Sequence, residues 1–437
     1  MPTAENTVAG AAATSGRQRW IQLALSVIAM MAISSPQYVW TLFLKPLQTT
    51  LGATLPALQI TFSLLIVLQT WLSPLQGWLV DRFGPRLLIT IGAALTGLSW
   101  ILSAKAGSVG MLYLTYGVLG GIGTGIVYVG VVGLMVRWFP DRRGFATGAV
   151  AAGYGFGAML TTFPIDTMLK TAGHQQTLLV FGIILGAVGV AAAFGLRLPP
   201  AGHAAAVVSA GSAGGGSVRP ATMLRTPIFW LLFVMMTMMS TGGLMVISQF
   251  AAFMRDFGVA DVVVFGVAAL PFALTFDRIT NGLTRPFFGW VSDRIGREKT
   301  MGIAFLLEAA SVSLMLYFRD NAPLFVLLSG VVFFGWGEIF SLFPSTLTDT
   351  FGERHATTNY GFLYMAQGVG SVLGGPVAAL IHDSAGSWMP VFALVIGMDV
   401  LTALLALLVL SPMRRRWLER TGTAAGAAAT AFPTPAE

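Results

Sequence analysis

Long apolar runs alternate with short polar breaks along the whole chain. The runs fall near 20–44, 56–80, 87–104, 109–136, 144–168 and 176–196, then 227–250, 262–292, 300–318, 323–348, 358–381 and 388–411. A helix needs about 20 such residues to cross the roughly 30 Å hydrocarbon layer of a bilayer. The pattern therefore predicts twelve transmembrane helices and an all-α membrane protein. The run at 262–292 is too long for one straight span, so its first residues are expected to be loop or a tilted extension. The first run, from Ile21 to Leu44, is too long for the apolar region of a signal peptide, and no small-residue cleavage site follows.

The polar breaks carry an orientation. With the N-terminus inside, the tails and even-to-odd loops hold Arg17, Arg19, Arg82, Arg86, Arg137, Arg142, Arg143, Arg197, Arg219, Arg225, Arg294, Arg297, Lys299, Arg354, Arg414, Arg415, Arg416 and Arg420. That is 18 of the 25 basic residues, against 5 in the opposite loops (Lys45, Lys105, Lys170, Arg255 and Arg319). The positive-inside bias places both termini in the cytoplasm and accounts for the net charge of +7 without invoking nucleic acid. Five regions follow: a cytoplasmic tail at 1–19, a six-helix bundle at 20–198, a linker at 199–225, a second bundle at 226–411 and a tail at 412–437. The Ala/Ser/Gly-rich linker is expected to be flexible, and the Ala/Thr/Pro-rich stretch 421–437 disordered.

Composition narrows the function classes. Hydrophobic residues make up 55% of the chain and charged residues 10%, with a mean hydropathy of +0.77. No cysteine is present, so disulfides and thiolate metal sites are excluded. None of His174, His203, His355 and His382 lies mid-span, and neither metal-ligand spacing nor a nucleophile-base pair is evident, so no enzyme, metal or cofactor is expected. There is no phosphate loop and no segment polar enough for a soluble ATPase domain.

A twelve-residue pattern occurs twice, 212 residues apart: Ser73-Pro-Leu-Gln-Gly77-Trp78-Leu-Val-Asp81-Arg82-Phe-Gly84 and Arg285-Pro-Phe-Phe-Gly289-Trp290-Val-Ser-Asp293-Arg294-Ile-Gly296. A copy at half-length marks a duplicated architecture. Each copy is expected to end a helix at Gly77 or Gly289, with glycines that admit close helix approach. Asp81 and Asp293 can pair with an arginine, Arg82 and Arg294 being adjacent, or cap a nearby helix. Such contacts would form and break as the protein changes conformation. With these motifs the chain resembles the major facilitator superfamily over roughly residues 20–411. The resemblance implies two pseudo-symmetric six-helix bundles, a central substrate site, alternating access and a monomer in the lipid bilayer.

Charges inside spans are costly, about 3 kcal/mol for an arginine on insertion scales, and are functional candidates by default. Arg285 lies eight residues before Asp293, about 12 Å up the helix. It is the leading candidate for binding an anion. Arg278, two turns further along with Asp277 beside it, is a weaker candidate and can instead be a salt-bridged structural residue. Gln37, Tyr38, Tyr128, Tyr154 (in the run Gly153–Gly157), Trp336, Tyr364 and Gln367 can line the same cavity. Phenol donors, aromatic walls and one forked cation suit a small planar carboxylate. Glu338 is the leading candidate for carrying a proton, with Glu308 and Asp399 behind it.

These residues sharpen the resemblance to the oxalate/formate antiporter family, through Gln37–Phe43, Asn281–Asp293, Arg294–Met301, Trp336–Pro344 and Asn359–Gln367. It implies that Arg285 is the substrate arginine and that Gln37, Tyr38, Tyr128, Tyr154 and Trp336 form its cage. One departure matters: the family's oxalate exchanger has a lysine where this chain has Gln367. One cation and one neutral donor leave half the charge of a dianion uncompensated, so monocarboxylates such as formate, lactate, pyruvate or glyoxylate are expected. Proton-coupled carriers of the superfamily typically place an acid one turn before the arginine. Here that residue is Asn281, which favours anion exchange over symport. The alternatives are an oxalate/formate antiporter proper or a multidrug exporter on the same fold, the latter usually having an acid at its centre.

Overall fold

A computed structural model describes residues 4–200, 203 and 217–430. The first half contains α1 (Ala4–Ala32), α2 (Ser35–Tyr38), α3 (Trp40–Leu51), α4 (Leu55–Trp71), α5 (Ser73–Phe83), α6 (Pro85–Ser103), α7 (Val109–Leu112), α8 (Gly120–Trp138) and α9 (Arg143–Phe194). A π-helical turn, Tyr113–Leu119, joins α7 to α8. The second half begins with α10 (Pro220–Met223) and α11 (Pro227–Asp256). It continues through α12 (Ala269–Ile295), α13 (Arg297–Tyr317), α14 (Ala322–Trp336), α15 (Ile339–Phe351), α16 (Ala356–Ala385), α17 (Met389–Leu404) and α18 (Ser411–Thr430).

Helix starts follow their sequence. Thr54, Thr226 and Asn321 cap α4, α11 and α14 with their side-chain oxygens, and each of those helices carries proline in its first turn. Among the described residues nine helices are long and apolar enough to cross a membrane, or ten with α4 and α5 taken as one span bent by 50°. The 52-residue α9 is two helices, because its backbone leaves helical geometry at Gly173 (φ 80°). Gly157 packs on Met31 and Gly189 packs on Ala32, so the chain must double back between them. Dividing α9 there, and adding α12 with its three internal charges, is consistent with the expected twelve spans.

The long run at 262–292 begins outside a helix, as expected, in a short hairpin of β1 (Val263–Val264) on β2 (Val267–Ala268), before α12 begins. Several other expectations are corrected. The first run breaks around Ile33–Val39, where Pro36 interrupts the backbone ladder. Neither repeat ends its helix at the first glycine. The helices continue to Phe83 and Ile295 because no intervening residue breaks them. The breaks come at Gly84 (φ 91°) and Gly296 (φ 99°), a conformation nearly closed to other residues. Helix α18 runs to Thr430, so alanine-rich sequence, which favours helix, occupies the start of the tail expected to be disordered. Most of the linker and residues 431–437 lie outside the described residues.

The two halves meet along two equivalent crossings, α12 against the first helix of α9 and α16 against α4–α5. At the first, a side chain at Gly289 would collide with the Gly144 backbone, and one at Gly148 with the Arg285 carbonyl. At the second, Gly77 meets the Thr357 backbone and Gly361 meets the Ser73 carbonyl. Both crossings thus bring backbones into contact through glycine, at matching positions of the repeat.

Candidate functional site

Asp81 and Asp293 act as reciprocal helix caps between the halves. Asp293 accepts from the backbone N–H groups of Gly144 and Phe145, both at 2.9 Å, at the start of α9. Asp81 accepts from the Thr358 N–H at 2.9 Å and its hydroxyl at 2.6 Å, at the start of α16. A carboxylate at a helix N-terminus meets unpaired N–H donors and the positive end of the dipole. Each Asp also has an arginine, Arg137 for Asp81 and Arg297 (2.6 Å) for Asp293. Arg297 and Arg143 converge on Asp349 at 2.8 and 2.9 Å, and Arg143 also reaches Glu353 at 3.2 Å. Arg82 and Arg294 are not brought into this network. Each lies over the tryptophan of its own repeat, Arg82 on Trp78 at 5.1 Å and Arg294 on Trp290 at 3.9 Å. Four residues back on a helix is the nearest neighbour on the same face, so the flat guanidinium stacks locally. Sequence reading missed Arg137, Arg143, Arg297 and Asp349, although acids amid a basic loop region were a usable signal.

Deeper along the α12–α9 crossing, Arg285 is 3% exposed. Its Nη1 donates to the Ala151 carbonyl of the opposite half at 2.6 Å, and its Nη2 to Asn281 Oδ1 at 3.0 Å. Nε has no partner, and the guanidinium lies 4.6 Å from the centre of the Phe340 ring. Both acceptors are neutral, so a carboxylate, accepting charge-assisted bonds through two oxygens, is a stronger partner. The matching residue of the first repeat, Ser73, donates to the Gly361 carbonyl at 2.6 Å.

An aromatic cluster connects to Arg285 through Phe340. Tyr128 stacks on Tyr364 at 4.7 Å and sets its edge against Tyr154 at 5.5 Å and Phe340 at 6.5 Å. Tyr38 packs on Tyr154 at 5.6 Å, and the Tyr154 hydroxyl donates to Gln37 Oε1 at 2.7 Å. Trp336 meets Phe340 at 5.9 Å while its indole N–H is held by the Met239 carbonyl at 2.8 Å. That bond removes it as a donor to substrate in this conformation. Gln367 lies one turn beyond Tyr364, with Oε1 buried and unpaired. Phe340, Tyr360 and Gln69, which donates to the Tyr364 hydroxyl at 3.3 Å, join the cluster and were missed. They follow the spacing of ordinary core residues.

The interface closes from this level down to the basic ends of the helices. Gly282 meets Phe156, but one turn further out on the same face Arg278 is exposed, as are Leu160 and Phe163 opposite. Asp277 is not paired with Arg278; it accepts from the Ser329 hydroxyl at 3.0 Å. A cavity of about 410 Å³ lies away from Arg285, between Arg86, Leu87, Phe194 and Leu198.

The profile described as Major Facilitator Superfamily matches residues 23–279 and 272–435. The chain is 36% identical to the oxalate:formate antiporter of Oxalobacter formigenes over 403 residues, covering 91% of this chain and 93% of that protein. It is 26% identical to monocarboxylate transporter 13 of Bos taurus, covering 77% of each. The proton:xylose symporter XylE, bound to 6-bromo-6-deoxy-D-glucose, superposes with a TM-score of 0.68 at 14% identity, covering 90% of this chain and 95% of that one, which supports the fold alone. On the repeat, the fold and these relationships, the chain belongs to the oxalate/formate antiporter family of the major facilitator superfamily.

Proposed function

We propose that this integral membrane transporter moves a small monocarboxylate across the bacterial inner membrane by alternating access, with both termini in the cytoplasm. Substrate binds at Arg285 as the bundles 20–198 and 226–411 rock about it. The observation that carries the reading is a buried guanidinium between the bundles whose hydrogen-bond partners are neutral. An anion would displace the Ala151 carbonyl, the one polar bond by which Arg285 ties the bundles together at this depth. Tyr128, Tyr154, Tyr364, Tyr38, Gln37, Trp336 and Gln367 supply walls and donors around it.

In this reading the Asp81 and Asp293 caps form the cytoplasmic gate, with Gly77 and Gly289 allowing it to close. Monocarboxylates are favoured because Gln367 offers no second charge. The names of the two relatives, an oxalate:formate antiporter and a monocarboxylate transporter, support a carboxylate cargo. Transport proceeds by anion exchange or proton symport. The similarity to the Oxalobacter protein favours one alternative, oxalate/formate exchange proper. A drug exporter is disfavoured by the cation at the centre.

Labelled pyruvate counterflow in proteoliposomes decides between cargoes. Formate, lactate and glyoxylate should compete, and oxalate should compete at least tenfold less well. Tight oxalate uptake that monocarboxylates do not inhibit would refute the preference.

A further inference from the structure

Among the described residues, three acidic side chains of the second bundle have no hydrogen-bond or salt-bridge partner on another residue. Glu308 on α13, Glu338 at the join of α14 and α15, and Asp399 on α17 are each 0% exposed. All six of their carboxyl oxygens are buried without a hydrogen bond to another residue. Glu308 is within electrostatic range of Asp399 and Glu338, and Glu338 of Asp399 and Arg285. Other facing elements bring no charge: α11 presents Gly242 near Asp399, and α14 presents Gly335 against Glu308. Among the described residues, Arg285 on α12 is the one cation facing the group. A cavity of about 10 Å³ borders Glu308, between Gly243, Phe333 and Trp336. That is about the space of one water molecule.

Buried acids keep their charge only when paired or hydrogen-bonded, and three together in low dielectric cannot all be ionised beside one arginine. Among the described residues no three acidic or histidine side chains converge as a metal site, so the ligand that suits them is a proton. We propose that Glu338, Glu308 and Asp399 form a proton site coupled to the anion held at Arg285. This rests on the carboxylate-carrier reading of Arg285.

The coupling follows from charge balance. Without an anion, one carboxylate at Glu338 balances Arg285. An arriving monocarboxylate supplies that negative charge instead, so Glu338 takes up a proton from hydronium in external water and becomes neutral. The proton reaches it through Glu308 and Asp399, which pass one on and are left protonated as before. When the site opens inward, the O–H bond breaks, the proton passes to cytoplasmic water, and the anion leaves. One proton accompanies one monocarboxylate and no net charge moves. Asn281 removes the acid from α12 itself; the carboxyls stand on the neighbouring helices instead.

Labelled pyruvate, which crosses lipid poorly at neutral pH, serves as the probe in proteoliposomes. Counterflow at equal pH reports anion translocation, and accumulation under an inward proton gradient reports coupling. The wild-type protein should accumulate pyruvate at least fivefold with the gradient. Glu308→Gln and Asp399→Asn should lose that accumulation while keeping counterflow within twofold, and Glu308→Asp should restore it. Active wild-type counterflow that ignores the gradient overturns the proton site and leaves the carrier reading standing. Variants that still accumulate, or that lose counterflow while eluting as folded monodisperse protein, overturn it too. Absence of counterflow for pyruvate, formate, lactate and glyoxylate in the wild type brings down the carrier reading itself.

Discussion

In the proposed carrier, Arg285 and Gln367 together set how much negative charge the site can hold. Arg285 is anchored by Asn281 on its own helix, which fixes one arm of the fork and leaves the Ala151 bond to be exchanged. Gln367 has an unpaired buried oxygen, one turn from the Tyr364 ring that stacks on Tyr128. Gln367→Lys would add a second cation near the same cluster. Oxalate should then inhibit pyruvate counterflow at least tenfold more tightly, the equivalent of about 1.4 kcal/mol; unchanged inhibition would show that Gln367 does not select cargo. Arg285 was legible in the sequence because a charge in an apolar run has few structural uses. Phe340 and Tyr360 were not, since an aromatic residue at helical spacing reads the same whether it faces packing or substrate. The hydrogen bond of Trp336 to Met239 was equally hidden, because it depends on α11 passing beside α14 at Gly243.

The repeated loop works as an element through backbone geometry more than through its charges. Its first glycine admits the backbone of the opposite half, its Asp caps the helix found there, and its second glycine turns the chain. The sequence supplied the Asp as a cap or ion-pair partner, and the structure makes it both. It misled on the adjacent arginines, which stack on tryptophan while Arg137 and Arg297 take the pairing. The roles are symmetric although the pairing residues are not: α8 supplies Arg137 from its last turn, whereas Arg297 opens α13. Loss of a helix cap costs about 1 kcal/mol, and charged acceptors contribute more. Asp293→Asn should therefore raise the opening of this end about tenfold. With no cysteine in the chain, Ser345→Cys gives a clean reporter, since Ser345 is buried against Thr147 at 3.0 Å across the interface. Its labelling by a maleimide should speed up about tenfold in Asp293→Asn, and also in Gly289→Ala. Equal rates in all three backgrounds would remove the gating role.

At the scale of the molecule, two halves of common plan meet along two like crossings, and one position of the repeat breaks their likeness. Ser73 and Arg285 both reach across to a carbonyl of the other half, at Gly361 and Ala151, but only Arg285 brings a charge. The halves and the spans were legible from apolar runs and the repeat, because a bilayer demands long continuous helices. Which end of the interface is closed was not, since both ends are built from the same small and aromatic residues. Because the caps are equivalent in geometry, Asp81→Asn should mimic Asp293→Asn in the Ser345→Cys assay within about threefold, whereas a strictly one-sided gate would leave it at the wild-type rate. The central claim is that Arg285 holds a carboxylate during transport. Its most direct test is labelled pyruvate and formate counterflow by purified protein carrying Arg285→Gln, compared with wild type in the same proteoliposomes. Loss of a buried charge-assisted fork, about 3 kcal/mol, predicts at least a hundredfold fall in counterflow with the variant still folded and monodisperse. Carboxylate counterflow retained within a fewfold of wild type would contradict it.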